Sequence, residues 1–173
     1  MGLPVDPSEA ILVLTTGGTI DKHYFDALSR YQVGDSVVGK LLQVARVKHP
    51  HCIKKLLRRD SLDLTEADRA RIVEHVRGSP FSRIIITHGT DTMTTTAAAL
   101  ASVVNKTIVL TGALAPARFS ESDAAFNLGM AFATAQIAPS GVYIAFNGSV
   151  FRGDEVRKDR QRGAFTRNES AEV

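Results

Sequence analysis

Ile11-Leu12-Val13-Leu14, followed at once by Thr15-Thr16-Gly17-Gly18-Thr19, is the stretch whose reading decides the fold. A short apolar run that stops on hydroxyls and paired glycines reads as a buried strand ending in a tight turn. Four such runs occur, over 10–14, 83–87, 107–111 and 142–146, and each is bounded by turn residues. Helical stretches alternate with them. Thr65 with Asp68 three positions on resembles a capping box, and Ile72, Val73 and Val76 carry the helical period to a stop at Gly78. Further helices are expected over 35–45, 92–104 and 123–137. Strands that are apolar throughout are buried on both faces, and joining them through helices calls for parallel pairing with right-handed crossovers. The expectation is therefore an α/β fold, a doubly wound, mainly parallel sheet with helices on both faces.

In such sheets ligands bind beyond the carboxyl ends of the strands, where the strand order reverses. The residues just past each run are small, hydroxylated or polar: 15–19 after the first, His88-Gly89-Thr90-Asp91 after the second, Gly112-Ala113 after the third and Asn147-Gly148 after the fourth. Paired glycines let backbone amides approach a developing negative charge, so Gly17-Gly18 could build an oxyanion hole or form a plain strand exit. Neither a G-x-G-x-x-G pattern nor a phosphate-binding G-x-x-x-x-G-K-[ST] loop is present. Thr90 or Asp91 could cap the following helix, or could face one crevice with Thr19, giving two hydroxyls and a carboxylate. A hydroxyl needs a base to become a nucleophile, and a lysine such as Lys158, in the segment after the last strand, can serve.

Composition bounds the rest. At 173 residues the chain fits one domain, 1–173, with 1–9 as an N-terminal tail. With 44% hydrophobic and 23% charged residues it reads as globular, without a transmembrane run. Residues 1–10 lack a basic start before the apolar run, so no signal peptide is expected. Cys52 is the single cysteine, which suits a reducing compartment, and the cytoplasm is expected. His49, His51 and Cys52 have metal-capable atoms but no partner carboxylate at a familiar spacing, so neither metal nor cofactor is expected. A net charge of +3 invites a nucleic-acid reading. The basic clusters at 46–59 and 152–162 are modest, the second is interleaved with Asp154, Glu155 and Asp159, and only 6% of residues are aromatic. Nucleic acid and membrane are not expected partners.

Thr16-Gly17-Gly18-Thr19-Ile20 and His88-Gly89-Thr90-Asp91-Thr92-Met93 together resemble the two signature segments of bacterial-type L-asparaginases. The likeness extends through Asp60-Ser61, Thr111-Gly112-Ala113 and Gly153-Asp154-Glu155-Val156-Arg157-Lys158, and it matches the family's N-terminal domain. The resemblance implies a flavodoxin-like sheet, a nucleophilic Thr19, and Thr90 coupled to Lys158 and Asp91. It implies L-asparagine as substrate, with weak L-glutamine activity, and a homodimer or homotetramer. Gly18, Asp60, Ser61, Gly89, Thr90, Asp91 and Ala113 become substrate-binding candidates, with Ser61 and Asp91 gripping the α-carboxylate and α-ammonium. A loop tyrosine assists the nucleophile in the family, and both Tyr24 and Tyr31 are candidates. Two-domain members continue past the lysine segment, so a short-chain, single-domain form is expected. Leu62 departs from the polar residue many relatives carry, which makes altered glutamine discrimination an expectation. Two rival classes are an amidase subunit acting on glutamine or a glutaminyl conjugate, and a binding module for a small anion that turns nothing over. His88, from its strand position, is expected to be structural.

Overall fold

The computed structural model describes residues 5–25 and 29–168. Residues 1–4 of the expected tail lie outside the described residues, while 6–10 form a turn whose Ser8 carbonyl accepts from Arg83 at 3.0 Å. The central sheet has six strands: β1 (Ile11–Gly17), β4 (His51–Arg59), β5 (Arg83–Thr87), β6 (Thr107–Thr111), β7 (Gly141–Phe146) and β8 (Ser149–Arg152). Their order is β4-β1-β5-β6-β7-β8, parallel except for the β7–β8 pair. The parallel strands thus run 2-1-3-4-5 in chain order, the flavodoxin-like arrangement. From β1 the chain moves one way to β4 and then returns across β1 to β5. The order reverses between β1 and β5, whose ends carry the two signature turns.

Two further pairs of strands lie outside this sheet: β2 (Lys22–Phe25) with β3 (Arg30–Val33), and β9 (Val156–Asp159) with β10 (Ala164–Arg167). The helices are α1 (Val38–Val44), α2 (Glu66–Gly78), α3 (Met93–Leu100) and α4 (Ala124–Ile137). The Thr65–Asp68 capping box forms in full, its hydroxyl accepting from the Asp68 amide at 3.2 Å. Three expected boundaries move by three residues or more. β1 runs to Gly17 rather than 14, because Gly17 still pairs with Arg59 past a register shift. α3 stops at Leu100 rather than 104, and its first turn is a separate 3-10 turn, Thr90–Thr92. α1 begins at Val38 rather than 35, since the Asp35 carboxylate pairs with Lys55 at 3.0 Å instead of capping.

Alternation along the strands feeds two cores. Leu12, Leu14, Ile84, Ile86, Ile108, Leu110, Ile144 and Phe146 face α2 and α3. Ile11, Val13, Ile85, Val109, Tyr143 and Ala145 face α1 and α4. This corrects the expectation of uniformly right-handed crossovers. α2, α3 and α4 each carry the chain one way across parallel strands, yet α4 lies on the opposite face from α2 and α3, so its crossover has the opposite hand. The connection 112–123 takes the chain over the strand ends and is held there by hydrogen bonds. The Asp123 carboxylate accepts from the Leu114 and Ala115 amides at 3.0 Å, Ser122 donates to the Ala115 carbonyl at 2.8 Å, and the Ala117 amide reaches the Ile20 carbonyl at 3.1 Å. Buried Asn127 then donates to the Gly112 carbonyl and accepts from the Asn147 amide, joining the ends of β6 and β7.

With α4 on the far face, the α3 side of β7 is left to the β9–β10 hairpin. Val156 and Phe165 join that core, and the Phe165 ring meets Phe146 edge-on at 5.2 Å. Lys158 stands directly opposite Phe165 in the antiparallel register, so both project from one face of the hairpin. Burying Phe165 therefore turns Lys158 inward.

Candidate active site

Gly18 is the pivot of the site. Its φ of 87° lies in the left-handed half of the map, and a Cβ there would stand 2.7 Å from the Gly89 Cα. The two turns touch backbone to backbone, with no room for a side chain between them. Gly89 has an ordinary φ but is as confined, because a Cβ on it would lie 2.6 Å from the Ser61 Oγ. Three segments thus meet in one place: the end of β1, the end of β5, and the 3-10 turn Ser61–Asp63 after β4.

Thr19 opens the 3-10 turn Thr19–Asp21 one residue past this contact and is half-buried. Thr90 opens the corresponding turn past Gly89 and is buried. The Lys158 amine donates to the Thr90 Oγ1 at 2.7 Å and to the Asp91 Oδ1 at 2.6 Å. The capping alternative for Thr90 and Asp91 fails, since neither the 3-10 turn nor α3 has a side-chain cap bond and the carboxylate is engaged by Lys158. Gly18 does not supply an oxyanion donor, which corrects the expectation for it: its N–H is taken by the Arg59 carbonyl at 2.9 Å.

Ser61 is 1% exposed, and its Oγ has no hydrogen-bond partner among the described residues. Leaving a buried hydroxyl unpaired costs about 1–3 kcal/mol, so it is a group ready for a ligand. Its own backbone is fixed from two sides. Thr92 donates its hydroxyl to the Ser61 carbonyl at 2.8 Å, and the preceding Asp60 side chain accepts from the Leu62 amide at 3.2 Å. Asp60 also pairs with Lys22 at 2.6 Å, tying β2 to the serine turn. Burial works against the Asp60 charge, yet the Lys22 ammonium and the Leu62 amide hold its carboxyl below the usual range. Ala113 is buried against Ile20 and Ala124, so its methyl group serves packing. Leu62 is exposed at the rim.

Tyr24 and Tyr31 face each other across the β2–β3 register with ring centroids 5.5 Å apart, and Tyr31 meets Phe119 at 5.9 Å. Both rings are half-exposed on this flap. The alternatives left open by the sequence are therefore one aromatic cluster.

His88, at the base of the second turn, is fully buried. Its Nδ1 lies 2.7 Å from the Gly89 carbonyl, which can only accept, so Nδ1 carries the proton and Nε2 accepts from the Thr96 hydroxyl at 2.8 Å. Burial pushes its pKa down to about 4. Because the folded value lies below the unfolded one, the stability linked to His88 is complete above pH 6.5 and is lost as pH falls toward 4. The loss is on the order of 3 kcal/mol. The free-energy gap between wild type and His88→Gln, measured by urea unfolding, is expected to narrow over that window; a pH-independent gap would contradict the assignment. Thr96 and the Asp60–Lys22 ion pair escape a reading of the sequence. A hydroxyl on the otherwise apolar, core-facing side of α3, beside Met93, Ala97 and Leu100, is the signal that points to Thr96.

The asparaginase N-terminal family model matches residues 10–172. The chain belongs to that family. It is 31% identical over 165 residues to the L-asparaginase of Thermococcus kodakarensis, covering 88% of this chain and 48% of that protein. It is 32% identical over 172 residues to a glutamyl-tRNA(Gln) amidotransferase component of Methanococcus vannielii, covering 90% and 40%. Among solved structures, L-asparaginase I from Vibrio cholerae superposes with a TM-score of 0.80 at 28% identity, covering 92% of this chain and 51% of that one. The chain spans about half the length of the relatives it matches. Family membership and the α/β fold are thereby in agreement with the signature segments read from sequence.

Proposed function

We propose that the chain hydrolyses the side-chain amide of L-asparagine to L-aspartate and ammonia through a covalent ester on Thr19. The observation that carries this reading is the Lys158 amine bonded to both Thr90 and Asp91, on a turn whose Gly89 is packed against Gly18. Thr19 Oγ attacks the amide carbon. The C–N bond breaks, and the hydroxyl proton leaves with ammonia. Water, its proton passed through the Thr90 hydroxyl to the Lys158 amine that Asp91 orients, then attacks the ester carbon; the bond to Thr19 Oγ breaks, the relayed proton restores the Thr19 hydroxyl, and aspartate is freed. The first amides of a helical turn lack intrahelical partners, which makes Thr19 and Thr90 the donors for the oxyanion in place of Gly18. Ser61, with its unpaired buried hydroxyl, takes the α-carboxylate, and Asp91 the α-ammonium. Gly89 and Ala113 shape the walls, Asp60 holds the serine turn, and Tyr24 and Tyr31 shield the nucleophile from the flap.

Glutamine is the second reading, favoured by the likeness to an amidotransferase component and by exposed Leu62. No helix among the described residues is long and apolar enough to cross a membrane. Cytoplasmic residence and a homodimer or homotetramer complete the proposal. A panel of L-asparagine, D-asparagine, L-glutamine and a glycosylated asparagine tests it. Ammonia release is expected to be fastest from L-asparagine, by at least about tenfold over L-glutamine, in line with the discrimination one methylene provides. Binding of all four without turnover would instead mark an anion-binding module.

A further inference from the structure

Asp21 joins three segments that flank the nucleophile. Its amide closes the Thr19–Asp21 turn on the Gly18 carbonyl at 3.1 Å, and its own carbonyl accepts from the Gly34 amide at 2.9 Å, where the flap returns from β3. Its Oδ1 accepts from the Val37 amide at 3.0 Å, the position before α1 that has no cap from its own side chain. The side chain is 1% exposed. Burial raises its carboxyl above the usual range, opposed by the Val37 amide, the Ser36 hydroxyl and Arg118 from the 112–123 connection, and reinforced by Asp35. On the flap side, the His23 imidazole packs against Gly34.

A charged group is costly to bury, and a surface aspartate would close the same 3-10 turn through its backbone alone. The buried carboxylate adds a link that backbone geometry does not provide, from the turn to α1.

We infer that Asp21 is a positioning residue for Thr19, locking the nucleophile's turn, the base of the Tyr24–Tyr31 flap and the start of α1 into one unit. This rests on the reading of Thr19 as nucleophile. It predicts a fault of alignment rather than of binding when the link is cut. Ammonia release from L-asparagine and amide hydrogen exchange, compared for wild type, Asp21→Ala and Asp21→Asn, test it. Asp21→Ala is expected to lower kcat by about ten- to a hundredfold, the loss that small misplacements cause, with KM changed less than about threefold. Asp21→Asn keeps an oxygen acceptor for the Val37 amide and is expected to restore most of kcat. In the wild type, the Asp21, Gly34 and Val37 amides exchange at rates that reflect a single opening event.

An Asp21→Ala variant with unchanged kcat, or an Asp21→Asn variant as slow as it, would overturn the inference. Should Asp21→Ala not fold, the wild-type exchange decides, since independent opening of Gly34 or Val37 would equally overturn it. A wild type that releases no ammonia would refute the nucleophile reading and leave the exchange test to judge the three-way link.

Discussion

Thr19→Ala is expected to release ammonia from L-asparagine at least about a thousandfold more slowly than wild type, the scale on which covalent catalysis depends on its nucleophile. Its unfolding midpoint should stay within about 4 °C of wild type, because removing a half-buried hydroxyl and methyl at a strand end takes little from either core. The two readouts separate chemistry from folding. Thr19→Ser, which keeps an oxygen in place, should recover part of the rate. Near-normal release by Thr19→Ala would move the nucleophile elsewhere, and Thr90 would be the next hydroxyl to replace.

Gly18→Ala acts on the scaffold and should be as damaging by another route. The added Cβ would meet the Gly89 Cα at 2.7 Å and the His88 carbonyl carbon at 2.9 Å, and these are backbone atoms of a buried strand end that cannot rotate aside. Its positive φ adds strain. A loss of about 3 kcal/mol or more in urea unfolding is expected, together with loss of turnover, since separating the two turns separates Thr19 from Thr90. Gly129→Ala is the contrasting substitution. It lies inside α4 with nothing within 4 Å of the added carbon and should gain up to about 1 kcal/mol from helix propensity. Equal midpoints for wild type and Gly18→Ala would mean that the turns do not abut.

The strands at 83–87 and 107–111 were legible to the residue, since both are apolar runs buried on both faces. β4 was hidden because an edge strand needs no apolar run. In His51–Arg59 only Leu56 is buried, and Lys54, Lys55, Arg58 and Arg59 protect the open edge. The face taken by α4 was hidden for a different reason. That helix is apolar nearly all round, with Phe126 and Ile137 exposed, so its pattern does not tell one side of the sheet from the other.

The candidate site divides in the same way. Thr19, Thr90 and Asp91 could be read because they follow strands at the reversal of strand order, where topology gathers them whatever their partners. Lys158 could not be chosen by composition from among Arg157, Arg160 and Arg162. What selects it is the hairpin register opposite Phe165, a consequence of the hand of the α4 crossover. Asp21 carried no motif, and its part depends on Gly34 and Val37, distant in sequence and adjacent only once the flap has folded back.

Mass spectrometry of acid-quenched Lys158→Ala mixed with L-asparagine tests the central claim most directly, since slowing the attack of water should let the ester accumulate. The account predicts a β-aspartyl adduct on the peptide that contains Thr19, formed as ammonia is released. An adduct on any other peptide, or turnover that persists in Thr19→Ala without one, would contradict it.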